Sequence, residues 1–130
     1  MTARNPTPKH VLTASATTAD TRSRMVGVGV KDVEVIGVVT DANDWVTLPS
    51  LASVPDGWAI RMLGNAGANF EVRTPASSNE EINSEDCDGT KEYLFTDTQI
   101  HIFTKVSNTI GWEGHGYTQI GAVATAVVPD

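Results

Sequence analysis

Several stretches of this chain place apolar side chains at every second position. Met25-Val26-Gly27-Val28-Gly29-Val30 alternates valine with glycine, and Val33-Glu34-Val35-Ile36-Gly37-Val38-Val39 is rich in β-branched residues. Trp45-Val46-Thr47-Leu48 comes next, followed by Trp58-Ala59-Ile60-Arg61-Met62-Leu63, where Trp58, Ile60 and Met62 share one face and Arg61 takes the other. In Phe70-Glu71-Val72-Arg73 the pattern predicts Phe70 and Val72 inward, Glu71 and Arg73 outward. Gln99 to Val106 places Ile100, Ile102 and Val106 on one face and His101 on the other, and the apolar run Ala122 to Val128 comes last. A period of two is the signature of strands, since side chains at i and i+2 line one face of a sheet.

Turn chemistry separates these runs. Asp41-Ala42-Asn43-Asp44, Pro55-Asp56-Gly57, Gly64-Asn65-Ala66-Gly67-Ala68-Asn69 and Asp88-Gly89 supply residues that accept positive φ or bond back to the local backbone. No stretch carries a sustained helical period, and Leu51-Ala52-Ser53 predicts one short turn at most. The pattern therefore predicts an all-β fold, an antiparallel β-sandwich of jelly-roll type, with a small closed barrel as the alternative. Residues 1–24 are dominated by Thr, Ala, Ser, Pro and Asn, with Val11-Leu12 their only apolar pair. Such a stretch buries too little surface to order itself. It is expected to be an extended N-terminal arm, with residues 25–130 forming the sandwich.

Composition narrows the function. The chain has 130 residues, 40% of them hydrophobic and 19% charged, which suits one packed domain. No apolar run approaches the ~20 residues of a membrane span. The start leads into no apolar stretch of signal-peptide length, so neither a membrane nor that secretory route is expected. The net charge of −7 is divided unevenly: residues 1–31 carry five basic groups and one acid, residues 32–130 four basic groups and fifteen acids. An acidic body argues against nucleic acid as a partner, because phosphate contacts need a basic face. A basic arm on that body suits an acidic partner surface, with Arg4, Lys9, Arg22 and Arg24 as the contact residues; the alternative is a solvated tail.

Candidate chemistry is sparse. Aligning Gly89 with the glycine of an EF-hand loop places Asp88 and Asp86 well but puts Ser84 at the first ligand position and Phe95 at the last, where neither serves. His10, His101 and His115 share no metal-ligand spacing, and no nucleophile signature surrounds a Ser or Cys. The lone Cys87 excludes an intrachain disulfide, and its neighbours Asp86 and Asp88 oppose a thiolate. The expectation is no metal, no cofactor and no enzymatic activity. Trp45, Trp58, Trp112, His115 and Tyr117 are the candidates for an interface or a ligand contact. The tryptophans serve either as stacking platforms or as core anchors, and the Ile110 to Tyr117 glycines admit a close partner.

The stretch Asp44-Trp45-Val46-Thr47-Leu48-Pro49, then Pro55-Asp56-Gly57, Glu71-Val72-Arg73-Thr74-Pro75, Ile82-Asn83, Asp88-Gly89-Thr90-Lys91-Glu92-Tyr93-Leu94 and Gly111-Trp112 resembles small β domains of tailed bacteriophages. It is similar in particular to capsid decoration (cement or head-fibre) proteins, and also to modules of phage tail fibres. The resemblance covers a little over half the chain, and its motifs are turn and core residues. It implies a virion structural protein, usually a homotrimer, that binds the major capsid protein on the outside of the head through an N-terminal extension and has no catalytic residues. A host-recognition module binding a surface glycan or protein is the alternative. Residues 25–39 and 121–128 are apolar on both alternating faces, which calls for cover on both sides and fits the trimer.

Overall fold

The computed structural model describes residues 10–14, 29, 31–38 and 44–118. These form ten strands: β1 (His10–Ala14), β2 (Asp32–Val38), β3 (Trp45–Thr47), β4 (Ala59–Gly64), β5 (Phe70–Arg73), β6 (Glu81–Ile82), β7 (Glu85–Asp86), β8 (Tyr93–Phe95), β9 (Gln99–Ser107) and β10 (Gly111–Thr118). One 3₁₀ turn, Leu51–Ser53, sits where the sequence allowed a single turn. The all-β expectation therefore holds.

The strands make two sheets. One has seven strands in the order β1-β2-β4-β9-β10-β6-β7, and the other has three in the order β3-β5-β8. This pairing is not the antiparallel arrangement of a jelly roll: β1–β2, β2–β4, β3–β5 and β6–β10 are parallel. The physical reason lies in the connections. A tight hairpin gives an antiparallel neighbour, whereas a chain that leaves a sheet and returns can bring back a parallel one. From β2 to β6 the strands alternate between the two sheets. Tight hairpins remain at β9–β10 and at β6–β7, where Asn83 and Ser84 both adopt positive φ, as a two-residue I′-type turn requires.

The N-terminal arm needs a second correction. Residues 10–14 are extended, but they pair with β2 as the edge strand of the large sheet, with one register shift between Leu12 and Ala14. Leu12 and Ala14 are buried in the common core. The folded body thus begins before residue 25, because two apolar residues two apart suffice to anchor a five-residue strand once a sheet edge is available. Residues 25–28 and 119–128, for which strands are expected, lie outside the described residues.

The two sheets share one core. Val33, Val35, Ile60, Met62, Phe103 and Trp112 come from the large sheet, and Val46, Phe70, Val72 and Phe95 from the small one. The period of β4 is as expected, with Ile60 and Met62 buried and Arg61 exposed. In β9 the inward face is the reverse of the more apolar one: His101, Phe103 and Lys105 point into the core, while Ile100 and Ile102 are half-buried and Val106 is exposed. In β5, Glu71 is buried despite its outward position, where it accepts hydrogen bonds from Arg73 Nε at 2.9 Å and Nη2 at 2.6 Å.

Turns follow their residues. Trp58 N donates to Pro55 O at 3.0 Å across the Pro55-Asp56-Gly57 turn, with Gly57 at φ 85°. Gly111 opens β10 at φ 91°, and a Cβ there would lie 2.5 Å from Glu81 O. Only glycine permits this approach of β10 to β6.

Candidate functional site

Strand β10 presents two unlike faces. Inward, Trp112 is buried, and Gly114 and Gly116 leave room for rings: a Cβ on Gly114 would meet Phe103 and Tyr93 at 3.0 Å, and one on Gly116 would meet the His101 ring at 2.7 Å. These glycines thus seat the chain's own aromatics. Outward stand Glu113, His115 and Tyr117, all exposed, with His115 Nε2 bonded to Glu113 Oε1. His115 and Tyr117 are therefore surface residues, as an interface role requires.

The three tryptophans separate. Trp58 and Trp112 pack edge to face in the core, centroids 5.8 Å apart, and cannot be surface platforms. This corrects their candidacy as ligand contacts: Trp112 sits on an inward position of the large sheet and Trp58 immediately before β4, where burial of a wide ring stabilises the core. Trp112 Nε1 is buried without a hydrogen-bond partner. Trp45 is half-buried on the outer face of the small sheet, with the Arg73 guanidinium carbon 4.0 Å from its ring centre. Arg4, Lys9, Arg22 and Arg24 lie outside the described residues.

The buried polar groups that sequence reading missed are in β9. His101 Nδ1 lies 2.6 Å from Tyr93 Oη and Nε2 lies 2.9 Å from Gln99 Oε1. The Gln99 carbonyl oxygen accepts only, so Nε2 carries the proton and Nδ1 accepts from the tyrosine. The ring stacks on Phe95 with centroids 4.0 Å apart. Burial lowers the His101 pKa to about 4 and raises that of Tyr93. Both ring nitrogens are engaged within the fold, which leaves the imidazole as a connector of sheets rather than a base facing a substrate.

Lys105 is buried, and its Nζ donates to Leu51 O and Val54 O, each at 2.7 Å, with Asp56 Oδ1 at 3.3 Å. The lysine thus binds carbonyls at the first residue of the 3₁₀ turn and just past its end, and holds that loop against β9. Glu80 Oε1 accepts from Leu51 N at 2.9 Å on the same turn. Burial pushes the Glu80 carboxyl upward, opposed by that hydrogen bond and by the nearby Lys105 charge. The cue in the sequence was the i, i+2, i+4 series His101, Phe103, Lys105, which the more apolar series Ile100, Ile102 outweighed.

The acidic loop is organised by its own backbone. Asp88 accepts from Asn79 N at 3.0 Å, which leads the lowering of its pKa, and from Thr90 Oγ1 at 3.2 Å. Lys91 pairs with Glu85. Among the described residues no group of three or more His, Cys, Asp or Glu is placed to hold a metal ion, and no helix is long and apolar enough to cross a membrane. Cys87 is buried, and burial raises its thiol, with Asp86, Glu85 and Glu92 adding to the shift. Asn83 works as a strand segment in miniature. Its amide accepts from Gly114 N at 2.9 Å and donates to Gly114 O at 3.1 Å, closing the parallel β6–β10 edge.

Outward, the large sheet presents one mostly apolar row of side chains beside a more polar one. Tyr117, Ile100, Leu63, Glu34 and Val11 stand in one row across β10, β9, β4, β2 and β1, by successive pairings. His115, Ile102, Arg61 and Asp32 form the next row. Val11, Ile36 and Tyr117 are about half exposed, at 51%, 49% and 53%. Compared with family models, curated proteins and solved structures, the chain matches none.

Proposed function

We propose that this protein is a non-enzymatic structural component of a bacteriophage virion, a capsid decoration protein that binds the outer surface of the head as a homotrimer. The observation that carries this reading is the order of turn and core motifs from Asp44 to Trp112, similar to that of small phage decoration domains. The internal engagement of His101 and Lys105 supports a body built to persist rather than to react. Basic residues Arg4, Lys9, Arg22 and Arg24 meet the acidic capsid surface, and the major capsid protein is the partner. A protein that binds only the assembled shell stabilises it by mass action.

The test is binding to undecorated heads. The full chain is compared with a variant carrying Gln at Arg4, Lys9, Arg22 and Arg24, at low and high salt, and light scattering gives the oligomer. The reading expects a trimer, uniform coverage of the head, and weaker attachment of the variant at low salt. Residence at the tail alone favours host recognition instead. A 13.8 kDa species at micromolar concentration removes the trimer.

A further inference from the structure

We propose that the outer face of the large sheet is the docking surface of the chain's own C-terminal segment, residues 119–128. The inference is independent of the capsid reading, since it concerns one chain. Its first support is the face itself. Tyr117, Ile100, Leu63 and Val11 line one row that Glu34 completes, Ile36 stands two residues further along β2 on the same face, and Ile102 lies in the row on the other side. An apolar row on a sheet face in water gains free energy by being covered.

Its second support is where the segment starts. β10 ends at Thr118, which pairs with Gln99, and the apolar row begins one residue earlier at Tyr117–Ile100. The row crosses four inter-strand spacings, roughly 19 Å at about 4.8 Å each. Ten residues in extended form reach about 33 Å, enough to cross it. Residues 119–128, Gln-Ile-Gly-Ala-Val-Ala-Thr-Ala-Val-Val, hold no charged side chain. A segment tethered at the edge of the surface meets it at millimolar effective concentration or above, which favours it over any free partner.

Size argues against a second copy as the occupant. The apolar row, with Ile102 and Ile36 beside it, gives a flat footprint on the order of 300 Å², short of the ~800 Å² per partner in stable complexes and suited to one strand.

The experiment places a nitroxide at Thr104→Cys, a half-buried polar position of the same face on β9, in the full chain labelled with ¹⁵N. Cys87 stays in place, because its buried thiol is out of reach of the reagent. The amide signals of residues 120–128 should broaden, while β9 and β10 signals away from the label keep their positions. A variant with Val123→Asp and Val127→Asp should regain most of that lost intensity. Broadening that the two aspartates leave unchanged would reflect the tether alone and would overturn docking. Equal broadening when nitroxide and ¹⁵N sit on different chains makes a second copy the occupant, and no broadening in any sample leaves the face without this segment; either result refutes the proposal. As a second measurement, a chain ending at Thr118 should bind several-fold more of a hydrophobic dye than the full chain, and equal binding counts against it.

Discussion

Tyr93 Oη lies 2.6 Å from His101 Nδ1, and this bond joins β8 of the small sheet to β9 of the large one across the core. Phe95 stacks on the same imidazole from the small sheet, and Gly116 leaves the space the ring occupies on the large one. One side chain thereby ties three strands together, and four consequences of such ties are measurable.

Acid should loosen the fold through His101. Its folded pKa is lowered to about 4 from the ordinary 6.5, because burial disfavours the charged ring. The unfolded chain therefore binds this proton first as pH falls. The contribution is complete above pH ~6.5, declines between ~6.5 and ~4, and is gone below, a total of roughly 3 kcal/mol. Urea midpoints of the protein and of His101→Gln, taken from pH 3 to 8, should differ in slope across that window. Parallel curves would mean that the imidazole does not titrate differently on folding.

Tyr93→Phe removes the donor and leaves His101 Nδ1 buried without one. The expected cost is about 1–3 kcal/mol, the penalty of an unsatisfied buried acceptor, read as a lower thermal midpoint with unchanged strand content.

Lys105→Met keeps the volume of the stem and deletes the ammonium that holds Leu51 O and Val54 O. Val54 O loses the lysine's hydrogen bond, Leu51 O keeps only the bond from Val54 N, and Asp56 loses its ion pair. A loss of about 3 kcal/mol in denaturant unfolding is expected, with faster hydrogen exchange confined first to the 51–54 turn. A change within half a kcal/mol would show that water replaces the amine without cost.

Removing residues 1–14 should destabilise the body, since β1 buries Leu12 and Ala14 and satisfies an edge of β2. Deleting only residues 1–9 spares that strand and should leave the thermal midpoint unchanged. If both chains melt together, β1 contributes nothing to the core.

Sequence by itself determined the class of structure. Alternation at Trp58-Ile60-Met62 and the Pro55-Asp56-Gly57 turn are local signals, and both appear as read. It determined also that Cys87 would be a poor nucleophile, because its neighbours are acids, although burial is the larger cause. Tertiary structure decided which of two faces is inward. In β9 the period of two defines the sets Ile100, Ile102 and His101, Phe103, Lys105, and hydrophobicity alone favours the first. The second is chosen because Tyr93, Gln99, Leu51 and Val54 satisfy its polar atoms from residues up to 54 positions away. Partners that distant leave no trace in a local pattern. The same reason hid the parallel pairings and the strand at 10–14: a sheet edge that accepts a short, weakly apolar segment exists only after the rest of the chain has folded.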